Sequence, residues 1–172
     1  MILKMLQLKE ELLYINAGGD GLDSNGDVVM TGGTIVIDGP EDSADGAIDY
    51  DSSFDMSGGE IIAAGSSGMA MTPSSTSAIN SVNITFSTTY SNTEIIIKDS
   101  NGNEIVSYTP VKKFNSFVFG SENLKTGETY TVYAGGEEID SFTVSGTITN
   151  VGNGGSFGGG FQGGKNMGGD RR

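Results

Sequence analysis

Apolar positions recur in this chain at a fixed interval. Val28, Met30, Ile35 and Ile37 are followed 26 residues later by Phe54, Met56, Ile61 and Ala63, and each set alternates with polar neighbours. Two short period-two stretches per copy, separated by Gly32-Gly33 in one and Gly58-Gly59 in the other, predict strands joined at Gly-rich corners. A repeat of about 26 residues built this way suits one coil of a parallel β-solenoid, in which each coil pairs its strands with the next. Residues 14–80 are therefore expected to form stacked coils.

The flanks carry different patterns. Met1, Met5, Leu8 and Leu12 fall at i, i+4, i+7 and i+11, which predicts a short amphipathic helix over residues 1–13. Such a helix would either cap an open end of the stack or mark the start of a piece of a longer protein. Over residues 81–150 the stretches Val82-Asn-Ile84-Thr-Phe86, Glu94-Ile-Ile-Ile-Lys98, Glu104-Ile-Val-Ser-Tyr108, Phe117-Val-Phe119, Thr129-Tyr-Thr-Val-Tyr133 and Ser141-Phe-Thr-Val144 alternate, with turn residues between them. They predict an antiparallel β module or β cap, with a hairpin at Asp99-Ser-Asn101-Gly102-Asn103. Residues 151–172 are mostly glycine and are expected to be a disordered tail. The predicted class is all-β.

Charge changes the picture at the corners. The formal net charge is −13, and residues 14–65 hold eleven acids with no Lys or Arg. Asp23 and Asn25 of one copy correspond to Asp49 and Asp51 of the other. Stacked at the interstrand spacing of roughly 5 Å, two carboxylates repel by about 3 kcal/mol at an effective dielectric of about 20. A hard divalent ion with several oxygen ligands removes that cost, which makes Asp20, Asp23, Asn25, Asp27, Asp45, Asp49 and Asp51 candidate Ca²⁺ ligands. The competing explanation is that Asp, Asn and Gly are simply turn formers. A helix-loop-helix calcium site fits poorly because Val28 stands where that loop needs glycine. Nonapeptide calcium rolls fit only at Gly18-Gly-Asp-Gly21-Leu-Asp23, with no tandem nonamer following.

Composition excludes other classes. With 9 basic against 22 acidic residues there is no surface to neutralise phosphates, so nucleic acid is not an expected partner. No apolar run reaches membrane-spanning length, so no membrane insertion is expected. Without His, and with both Arg in the tail, the usual proton-transfer groups are missing and no enzyme is expected.

The segments Gly18-Gly-Asp-Gly-Leu-Asp23-Ser-Asn-Gly-Asp27, Thr31-Gly-Gly-Thr34, Ala47-Ile-Asp-Tyr-Asp51, Ser57-Gly-Gly59 and Ala64-Gly-Ser-Ser-Gly-Met-Ala70 together resemble a clostridial family of secreted carbohydrate-binding proteins. The likeness spans about residues 14–150 and implies the C-terminal portion of a right-handed parallel β-helix, with calcium ions and affinity for polygalacturonate (pectin) or cellulose. It implies an extracellular or cell-surface location. Tyr50, beside the repeat's acids, is the candidate for stacking on a sugar, and Lys112 and Lys113 for attracting an anionic one. A structural or adhesive surface repeat without sugar affinity, and a fragment of a pectin-cleaving enzyme, are the alternatives.

Overall fold

A computed structural model describes residues 3–8 and 11–152, with side chains from residue 11 onward. It is all-β, and no helix occurs among the described residues. The strands are β1 (Leu3–Leu8), β2 (Leu12–Asn16), β3 (Leu22–Asp38), β4 (Ile48–Tyr50), β5 (Ser53–Gly65), β6 (Ser81–Tyr90), β7 (Ile95–Asp99), β8 (Glu104–Tyr108), β9 (Phe114–Ser121), β10 (Thr129–Ala134), β11 (Glu137–Thr143) and β12 (Ile148–Val151). The tail expected to be disordered lies, from residue 153, outside the described residues.

The sequence period appears directly as strand register. Strand β3 pairs with β5 in parallel, placing Val28 beside Phe54, Met30 beside Met56 and Ile35 beside Ile61, all 26 residues apart. At the corner, β3 and β4 continue the offset, with Asp23 beside Asp49. Register shifts between Met30 and Thr34 mark the Gly-Gly turn, where Gly33 and Gly59 both take positive φ, 81° and 91°. These are the positions where a side chain is excluded on conformational grounds.

The helix predicted for residues 1–13 is not formed. In its place β1 and β2 run parallel to β3, Leu6 beside Val28 and Leu13 beside Ile35. A helix of this length is marginal by itself, and pairing with β3 supplies backbone partners and apolar contacts a lone helix lacks. Leu13 and Ile15 pack against the interior core while Leu12 and Tyr14 face outward, a period of two that competes with the helical one.

The larger sheet runs β1-β3-β5-β9-β6-β12, with β2 and β4 also on β3; the smaller runs β11-β10-β7-β8. Strand β9 pairs antiparallel with both β5 and β6, so the sheet reverses direction there. Two apolar cores result. One fills the stack with Val28, Met30, Ile35, Ile37, Ile48, Phe54, Met56 and Ile61. The other lies between the sheets, where Val36, Ile62, Phe119 and Val82 meet Ile95, Ile97, Tyr130 and Val132. Because this stretch of β3 and β5 is covered on both faces, its sequence is a near-continuous apolar run rather than an alternating one.

Candidate metal centre and a buried carboxyl clasp

The repeat acids line one corner of the β3–β5 stack. Asp20 is exposed, and its Oδ1 accepts a 2.9 Å hydrogen bond from the Gly46 N–H, joining equivalent corners 26 residues apart. Asn25 Nδ2 donates to Asp51 Oδ2 at 3.2 Å, and the Asp51 N–H donates to the Ser24 carbonyl at 3.0 Å. Ser53 Oγ lies 3.0 Å from Asp27 Oδ1, where it donates. Asp45 is half-buried beside Gly19, where a Cβ would sit 3.6 Å from its Oδ2.

Asp49 is where these charges converge. Its carboxyl pKa is raised, first by burial and then by Asp20, Asp23 and Asp51. In the sign of linkage, a carboxyl whose folded pKa lies above its unfolded value weakens the fold once ionised, and lowering the pH through that folded value relieves the cost. Asp49→Asn is therefore expected to stabilise the metal-free protein at neutral pH, by less than about 1 kcal/mol because solvent screens the corner. Urea unfolding of the two proteins in chelator reads the difference. A destabilised variant would mean that the Asp49 carboxylate accepts bonds worth more than the repulsion.

The donors are hard oxygens, the type that Ca²⁺ takes. Among the described residues, however, no three acids are gathered into a ready cage. An ion would have to draw the ligands together.

The remaining candidates have structural partners. Tyr50 donates its hydroxyl to the Thr72 carbonyl at 2.9 Å and sets its ring edge-on to Phe54, centroids 6.2 Å apart, at the border of the interior core. Lys112 Nζ donates to the Ala17 carbonyl, and the Lys113 backbone N–H to Glu41 Oε1 at 2.8 Å. The 99–103 segment is a hairpin turn: Asp99 Oδ1 accepts from the N–H of Asn101 and of Asn103, each at 2.9 Å. Its carboxyl pKa is lowered chiefly by the Asn103 side chain, which donates to Oδ2.

A residue not singled out from the sequence occupies the most enclosed polar position. Asp38, at the end of β3, is 0% exposed. Its Oδ2 accepts from the Tyr14 hydroxyl on β2 at 2.8 Å and from the Tyr108 hydroxyl on β8 at 2.5 Å. The larger sheet is thus tied to the edge of the smaller. Oδ1 has no partner among the described residues. The Tyr108 pKa is raised, first by burial and then by the bond to Asp38, and that of Tyr14 is raised chiefly by its bond to Asp38. One signal was present in the repeat: position 38 pairs with Ala64, so Asp38 is an acid the second copy does not keep.

No family model and no solved structure matches the chain. Among curated proteins, Cell surface glycoprotein 2 of Haloarcula hispanica is 36% identical over 61 residues, which is 36% of this chain and 7% of that protein. The chain therefore matches only a small part of that relative's length. No described helix is long and apolar enough to cross a membrane.

Proposed function

We propose that this chain is a calcium-binding, non-catalytic module of parallel β-helix type that acts at an extracellular or cell-surface location and holds acidic cell-wall polysaccharide. The observation that carries the reading is the convergence of Asp20, Asp23 and Asp51 on Asp49 at equivalent corners of the 26-residue parallel stack. Like charges fixed one above another by backbone pairing are stabilised by a divalent cation, and Asp20, Asp23, Asn25, Asp49 and Asp51 would supply oxygens to it. The in-register β3–β5 ladder supports the β-helix reading. An acidic protein and a polyuronate repel, so affinity between them would depend on cations shared at such corners.

Thermal unfolding in chelator and in millimolar calcium tests the ion. Calcium at a hundred times its dissociation constant should stabilise by about 2.7 kcal/mol, and Asp23→Asn combined with Asp49→Asn should remove most of that gain. Retardation of the protein in a gel containing polygalacturonate, with and without chelator, tests the glycan. A melting curve indifferent to calcium would sink the metal reading.

A second reading, a structural or adhesive surface repeat without sugar affinity, is favoured by the partial likeness to a cell surface glycoprotein. Calcium-stabilised protein that runs unretarded through polygalacturonate and cellulose gels would select it.

A further inference from the structure

The side of β2 turned away from β3 is an unfinished edge. Among the described residues β2 pairs only with β3, leaving its other row of backbone donors and acceptors without a strand. The apolar columns of the stack also stop there. Leu13 stands beside Ile35 and Ile61, and Ile15 beside Ile37 and Ala63. Ile35, Ile37 and Ile61 are fully buried whereas Leu13 and Ile15 are only partly so. On the other face of β2, Leu12 is 72% and Tyr14 50% exposed.

Edges of this kind are ordinarily blunted by Lys, Pro or a bulge. Strand β2, Leu-Leu-Tyr-Ile-Asn, carries no charge and no proline in a chain where 18% of residues are charged.

We propose that β2 is a self-association edge, through which two copies of this chain pair antiparallel about a two-fold axis at Tyr14. The register follows from the side-chain alternation. Residues paired across an antiparallel ladder point to the same face, so inward residues must meet inward ones. Centring on Tyr14 sets Leu13 against Ile15 of the partner subunit and Leu12 against Asn16 of the partner subunit, using all five residues. A slip by one would oppose an inward leucine to an outward tyrosine. Slips by two keep the faces but lose pairs. The pairing extends the buried columns of one copy into those of the other, continuous with the β2–β3–β5 stack, and it closes on itself as isologous contacts do.

Light scattering on the purified full chain measures the mass directly. It should approach twice 17.8 kDa as protein concentration rises. Because each copy carries a charge of −13, added monovalent salt should tighten the association. Leu12→Lys should shift the protein to monomer with its circular dichroism unchanged. The chain has no cysteine, so single introductions report geometry without background. Tyr14→Cys should form an intermolecular disulfide on oxidation, whereas Asn16→Cys should not, since that position faces Leu12 of the partner subunit. A wild-type protein that stays monomeric at every concentration and salt overturns the proposal, as does a mass above the dimer. A dimer indifferent to Leu12→Lys, or cross-linked equally at both positions, overturns it as well. The wild-type mass decides even if Tyr14→Cys weakens the fold through loss of its bond to Asp38.

Discussion

Gly59→Val is expected to remove most of the stability of this protein, with a loss of about 3 kcal/mol or more on urea unfolding. Gly59 holds φ at 91°, a region where a β-branched residue is an outlier. Space is lacking too: a Cβ there would lie 2.6 Å from the Gly33 carbonyl oxygen and 2.7 Å from Met30 Cε. The first neighbour is backbone of the adjoining corner and cannot move without breaking the register that pairs Thr34 with Glu60. Natural domains hold about 5–15 kcal/mol in total, so the corner decides whether β3 and β5 stay stacked. Gly102→Ala is the internal control. It also has positive φ, 84°, but nothing lies within 4 Å of the added Cβ, and the expected loss is about 1 kcal/mol. Equal losses at the two sites would show that φ alone, and not the close approach of the coils, makes Gly59 necessary.

Asp38→Ala is expected to cost about 3 kcal/mol, because it strips the acceptor from the half-buried Tyr108 hydroxyl and opens a void at a fully enclosed site. Tyr108→Phe should cost less, about 1–2 kcal/mol, since Tyr14 still donates to the same oxygen. The pH dependence has a definite sign. Both tyrosines have folded pKa values above the ordinary 10.0, Tyr108 chiefly through burial and Tyr14 chiefly through its bond to Asp38. Their contribution is therefore complete below about pH 10 and is lost as pH rises above it, because the unfolded chain releases those protons first. Denaturation followed from neutral to alkaline pH should show that decline in wild type and a shallower one in Tyr108→Phe. An identical alkaline limb in the two proteins would remove Tyr108 from the clasp.

The sequence carried much of the ladder and little of the clasp. The 26-residue spacing from Val28 to Phe54 and Ile35 to Ile61 is visible because parallel pairing with a constant offset makes neighbours in space regular in sequence. Strands β6 to β11 were legible from period-two stretches, and Asn101-Gly102 from its turn chemistry. The first strands were misread because leucines at helical spacing also satisfy a strand. What decides between them is β3, which the pattern of residues 1–13 does not contain. Strand β12 is four residues long and pairs in parallel with β6, so neither its length nor its composition announced it. Asp38 escaped notice because one acid closing an apolar run looks like the start of a loop. Its meaning depends on Tyr108, seventy residues away and on the other sheet.

The stepwise register of β3 on β5 limits how such a chain can change length. Adding or deleting a whole 26-residue unit keeps every apolar column, corner glycine and acid in line with its counterpart. An insertion of a few residues within a strand displaces everything downstream of it in that coil. Growth and shrinkage of this architecture are thus quantised, and tandem duplication of an intact coil is the least disruptive route by which the molecule lengthens.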